Sequence, residues 1–124
     1  MGRGQPVSAE ELFAGHPFAR EVFDAVEAVA AGLGPYSVRV TKSQATFRRR
    51  RGFAFVWIPG RYLAHPAADV VLSIALPRHD PSPRFKEVAH PAPAQRVHHL
   101  EVRSLGDVDA EVVGWLREAA AAAD

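Results

Sequence analysis

Apolar residues recur at helical spacing near both ends of the chain and at strand spacing between them. Phe18, Val22, Val26, Val29 and Leu33 form one stripe, the pattern of an amphipathic helix with one buried face. His16-Pro17 opens it, with proline at the first helical position, where its missing N–H costs nothing. Gly32, Gly34 and Pro35 stop it. Ahead of it, Ser8-Ala9-Glu10-Glu11 has the spacing of a capping box and predicts a short helical turn ending near Gly15. At the other end, Val108, Val112, Trp115, Leu116 and Ala119 predict a last helix, capped by Ser104 or Asp107. The alanines at 119–123 permit helix, and its end is expected to fray.

Between the helices the period changes. Tyr36 to Val40 alternates, with Val38 and Val40 on one side and Arg39 on the other. Thr41-Lys42-Ser43 reads as a kink, a bulge or a continuation. Gln44 to Phe47 is a second strand. Phe53 to Ile58 and Val70 to Leu76 are apolar on both faces, which predicts central strands. Tyr62 to Asp69, with His65-Pro66, reads as loop. Pro77, Pro81 and Pro83 exclude regular structure from 77 to 84. Phe85 to Ala89 is a candidate short strand, and Pro91-Ala92-Pro93 a turn or stiff extended piece. Val97 to Arg103 alternates, so His98 and His99 point to opposite faces.

This order of helix, strands and helix lacks the βαβ alternation of a parallel sheet. It predicts an α+β domain: an antiparallel β-sheet of four to six strands, with the N-terminal and C-terminal helices packed on one face. Residues 1–7 are expected to be a flexible tail and 8–124 a single domain. A second sheet face then needs cover from curvature, from the proline-rich loops or from another copy of the chain, so a homodimer is expected.

Composition adds boundaries. The chain has 124 residues, 48% of them apolar, enough for a core without staples. It has no cysteine, which excludes disulfides, thiolate catalysis and cysteine zinc sites. No basic segment leads into an apolar one at the start, and no apolar run approaches about 18 residues. No membrane association and a cytoplasmic location are the expectations.

The formal net charge of +1 conceals segregation. Residues 1–35 carry two arginines against five acids, for −3; residues 36–103 carry twelve lysines and arginines against four acids, for +8; residues 104–124 carry Arg117 against five acids, for −4. Acidic helices can complement a basic sheet from the same chain, or the asymmetry can mark an acidic partner. The sharpest feature lies in the basic part. Arg48, Arg49, Arg50 and Arg51, followed by Gly52, separate two strand-like runs and predict a β-hairpin with a cationic tip. Gly52 would supply a positive φ there. With Lys42 and Arg61 these arginines are the candidate ligand-binding residues. Phosphorylated ligands or nucleic acid are the candidate partners, with Phe47, Phe53 and Tyr62 nearby. Phe53, Phe55 and Trp57 themselves read as core. The arginines can equally keep an exposed hairpin edge from pairing with another chain.

Other chemistries find little footing. Adjacent His98 and His99 cannot share an ion, and no zinc-protease or calcium-loop motif occurs. No metal and no cofactor is expected. No serine stands in a nucleophile-elbow motif, and Lys42 and Ser43 diverge if they lie on a strand. Glu87 and Glu101 become cross-strand neighbours if 85–89 pairs with 97–103, and Lys86, Arg84 or Arg103 would then neutralise them.

Three segments together resemble a bacterial domain-of-unknown-function family: TKSQATFRRRRGFAFVWIPGRYL, PRFKEVAHPAP, and VHHLEVRS before an acid-rich helix. The likeness covers about residues 12–120. A looser likeness of layout is to the small YdhG-like domains. The resemblance implies a fold and brings no catalytic residues. The sequence thus points to a non-enzymatic binding module for an anionic partner through its basic hairpin. An enzyme acting on a small anionic substrate, and a structural domain that forms homodimers, are the alternatives.

Overall fold

The computed structural model describes residues 7–61, 68–93 and 95–124, with the side chain of Arg61 excepted. Residues 62–67 of the loop expected over 62–69, and most of the expected N-terminal tail, lie outside the described residues. Val7 is docked: its N–H donates to the Val40 carbonyl at 2.9 Å, and its side chain packs against the core.

Among the described residues, three α-helices and six strands follow in the order α1 (Ala9–Leu12), α2 (Pro17–Ala31), β1 (Ser37–Val40), β2 (Gln44–Arg48), β3 (Gly52–Trp57), β4 (Val70–Leu76), β5 (Glu87–Ala92), β6 (Gln95–Val102) and α3 (Ala110–Ala122). The strands form one sheet in the order β1-β2-β3-β4-β6-β5, with every pairing antiparallel. This is the expected α+β architecture. β5 extends through Pro91, which a sheet edge tolerates because no neighbour needs its missing N–H.

Local chemistry sets the ends of the elements. The Ser8 capping box closes in both directions: Glu11 N–H donates to Ser8 Oγ at 3.1 Å, and Ser8 N–H donates to Glu11 Oε1 at 3.0 Å. α3 starts later than either Ser104 or Asp107 predicts. Those two cap a 3-10 turn at Leu105–Asp107, and Asp109 caps the helix by accepting the Val112 N–H at 3.1 Å. The segment competes with itself, because three side chains suited to capping fall within six positions.

The two long helices share one sheet face. Ala19, Val22, Phe23, Val26 and Ala30 of α2 and Val112, Trp115, Leu116 and Ala119 of α3 are buried there. They meet Phe47, Ala54, Val56, Leu72, Ile74, Leu100 and Val102 from the strands. The Phe47 ring sits 5.5 Å from that of Phe23, and burying such a side chain contributes about 1.5–3 kcal/mol. An irregularity between Phe47 and Arg48 gives β3 an extra residue, so Phe53 and Ala54 both join the core.

Gly52 does not take the positive φ expected of it; among the described residues only Gly15 (φ 78°) and Gly34 (φ 115°) do. Its reason is space. A β-carbon at Gly52 would come within 3.0 Å of the Phe55 ring and 3.1 Å of Thr46 Cγ2. Phe55 therefore lies across Gly52, on the face of the sheet that carries no helix.

Candidate functional site

The arginine run turns partly inward. Arg49 donates from Nε to the Pro35 carbonyl at 3.1 Å and from Nη1 to the Ala120 carbonyl at 3.2 Å, and Nη2 donates to the Leu33 carbonyl. Its side chain is only 13% exposed. Gly34 makes room for it, since a β-carbon there would lie 3.0 Å from Arg49 Nη2. Arg51 donates to the Ala122 carbonyl at 2.6 Å, and the backbone N–H groups of Arg50 and Arg51 both donate to the Ala123 carbonyl. The run thus supplies donors to the carbonyls that the end of α3 leaves open, where cations also meet the negative end of the helix dipole. The alanine end expected to fray is tied down by these donors.

Arg48 and Arg50 remain exposed at the hairpin tip. Lys42, also exposed, sits in the β1–β2 turn at the opposite end of β2. Arg61 closes a 3-10 turn just after β3, at that same end. The candidate cations therefore divide between the two ends of the hairpin.

Part of the segregated charge is answered within the chain. Arg84 contacts Asp109 at 3.1 Å and Glu111 at 2.8 Å, and its guanidinium lies 5.7 Å from the Trp115 ring. Arg78 grips Glu118 through two hydrogen bonds of 2.7 and 2.9 Å and reaches Asp80 at 3.1 Å. Burial alone would raise the Asp80 carboxyl, but the N–H of Ser82, the indole N–H of Trp115 and Arg78 outweigh it and hold it below the ordinary value. His98, the inward member of the pair, is buried. It donates from Nδ1 to the Arg96 carbonyl at 3.0 Å and accepts the Asp80 N–H on Nε2 at 2.9 Å. Glu87 faces His99 rather than Glu101, and Arg103 engages Glu101 at 2.7 Å.

A different constellation occupies the helix-free face. Pairing register aligns Arg39, Thr46, Phe55, Ser73, His99 and Glu87 in one row across the sheet. Trp57 pairs with Gln44 in the adjacent row. Phe55 and Trp57, expected in the core, are half-buried on this side, because only Phe53 gains the core face from the irregularity in β3. Among the described residues, Gln44, Phe55, Trp57, Ser73, Val97 and His99 line a groove of about 350 Å³. Trp57 Nε1 donates to Ser73 Oγ at 2.8 Å, and Ser73 Oγ lies 2.6 Å from His99 Nδ1. The Trp57 and His99 rings meet edge to face, 6.0 Å between centroids. Burial pushes His99 below the usual histidine value, against an opposing pull from Glu87. These side chains lean over β4, all of whose residues are buried.

Sequence reading missed Ser73 and His99 as a pair. Its one available signal was a lone hydroxyl within an otherwise apolar strand. The partner histidine becomes visible only once β4 and β6 are in register.

The fold and groove define a small α+β domain with one helix-covered and one helix-free sheet face. The chain belongs to a family described as a domain of unknown function (DUF5655), whose model matches residues 9–120. No curated protein and no solved structure matches it.

Proposed function

We propose that this domain is a non-enzymatic binding module for an anionic partner, and that the partner lies in the groove on the helix-free face. The observation that supports this most is an aromatic and polar groove on the helix-free face, with exposed Arg48 and Lys42 at the two ends of the strand that carries Gln44. Phe55 and Trp57 form its floor, and Ser73, His99 and Gln44 give it polar atoms. Exposed Arg48 pairs with Gly52, over which the Phe55 ring lies, so a cationic residue occupies the β2 position nearest one end, with its Nη2 at 3.5 Å from the Arg50 carbonyl. Lys42 stands two residues before Gln44 at the other. A concave, mostly apolar site with a few convergent polar groups is the ordinary form of a ligand pocket. Arg49 and Arg51 serve helix α3 in this reading, so the partner engages Arg48, Lys42 and the groove rather than the whole run.

The test is titration with inorganic phosphate and pyrophosphate, followed by the NMR shift of the Trp57 indole N–H. Binding should move that signal, weaken as salt rises and weaken again in Arg48→Ser. No shift with either anion, nor with ribose 5-phosphate or a nucleoside monophosphate, at low salt would defeat the reading.

An enzyme acting on a small anionic substrate is the second reading, favoured by the 2.6 Å contact between Ser73 and His99 with Glu87 across from the histidine. Against it, the Trp57 N–H donates to the same oxygen that would have to attack. Covalent labelling of Ser73 by a fluorophosphonate would turn the argument toward the enzyme.

A further inference from the structure

We infer that the groove takes a single nucleotide, its base laid on Phe55 and Trp57, its edge met by His99 and Gln44, and its phosphate directed toward Arg48. This rests on the anion-binding reading of the groove and names its ligand.

The floor comes first. Phe55 and Trp57 are two residues apart on β3 and share a face, so their Cα atoms stand about 7 Å apart along the strand. Aromatic rings on a sheet surface are stacking platforms for bases, each stack contributing about 1–3 kcal/mol. An inorganic anion gains nothing from such a floor.

The hydrogen-bond chain supplies direction. An indole nitrogen only donates, so Ser73 Oγ is the acceptor of the 2.8 Å bond from Trp57. The hydroxyl hydrogen is then available for the 2.6 Å contact with His99 Nδ1. A histidine that accepts at Nδ1 and is kept neutral by burial carries its proton on Nε2. The groove wall therefore holds a fixed N–H donor. Gln44 adds the complement: its amide nitrogen donates to Thr46 Oγ1 at 3.3 Å, leaving the amide oxygen as an acceptor. A donor and an acceptor beside an aromatic floor match a nucleobase, whose edge carries both kinds of group around a flat ring. Charge completes the match, with exposed Arg48 paired to Gly52, the glycine over which the Phe55 ring lies. A volume of about 350 Å³ suits one nucleotide rather than a strand.

The intact protein is titrated with the four ribonucleoside monophosphates, ribose 5-phosphate, inorganic phosphate and a trinucleotide, following the Trp57 indole N–H and the His99 ring nitrogens by NMR. At least one monophosphate should bind at least tenfold tighter than ribose 5-phosphate. His99 should show the Nε2–H tautomer in the free protein, and His99→Phe, which keeps a ring and loses the donor, should weaken that nucleotide by about tenfold. Ribose 5-phosphate or phosphate binding as tightly as every nucleotide would overturn the inference and leave the anion reading standing. No binding by any of them would overturn both. A trinucleotide bound a hundredfold tighter than its monomers would replace the single nucleotide with a strand. Unchanged affinity in His99→Phe would remove the base-edge contact on which the assignment depends.

Discussion

The guanidinium of Arg49 donates to the carbonyl of Ala120 at 3.2 Å, joining the β2–β3 hairpin to the last turn of α3 across 71 positions of sequence. The same side chain holds the carbonyls of Leu33 and Pro35 just beyond α2. One residue thus clasps the C-terminal ends of both long helices. What reads as a charged tip in one dimension is a cap in three.

Replacing Arg49 with alanine should therefore destabilise the domain by about 1.5–3 kcal/mol, the range for hydrogen bonds from a charged donor. Lysine should recover less than half of that loss, because a point charge cannot serve three carbonyls as a planar fork does. Arg50→Ala, at an exposed position, should stay within about 0.5 kcal/mol. Urea unfolding of the three variants decides this. Equal losses at 49 and 50 would remove the capping role.

Two glycines should respond with opposite signs. Gly52→Ala forces a methyl to 3.0 Å from the Phe55 ring and should cost about 1–3 kcal/mol through overpacking. It should also shift the Trp57 indole signal, since Phe55 shares the groove floor with it. Gly114 lies inside α3, is exposed, and has nothing within 4 Å of a would-be β-carbon. Gly114→Ala should stabilise by about 0.5–1 kcal/mol through helix propensity. Thermal melts of both variants are the check, and a stabilised Gly52→Ala would contradict the packing described.

His98 should make stability depend on pH. Burial lowers its pKa in the folded state from the ordinary value of 6.5, so the folded form binds fewer protons than the unfolded chain. Its contribution is fully present above about 6.5 and is lost as pH falls through the lower folded value. Protonation also takes away the acceptor that the Asp80 N–H uses at 2.9 Å. His99 is shifted in the same direction, so the two add. The carboxyls of Asp80 and Glu118, both held low, act in a more acidic window. Urea midpoints between pH 7.5 and 5 should fall in the parent protein, and the slope should flatten in His98→Gln. A parent protein equally stable across that range would refute the assignment.

The sequence by itself determined the strands, the two amphipathic helices, the Ser8 cap and the antiparallel order, because each depends on a local period or on side chains a few positions apart. It also determined that His98 and His99 part to opposite faces, since a strand alternates. Tertiary structure decided the rest. Whether an arginine meets solvent or a helix end depended on where α3 stops relative to the hairpin. Whether Phe55 and Trp57 face the core or the open side depended on one extra residue in β3. The Trp57–Ser73–His99 chain needed the register of β3, β4 and β6 together, and register is a property of packed strands that no single stretch of sequence carries.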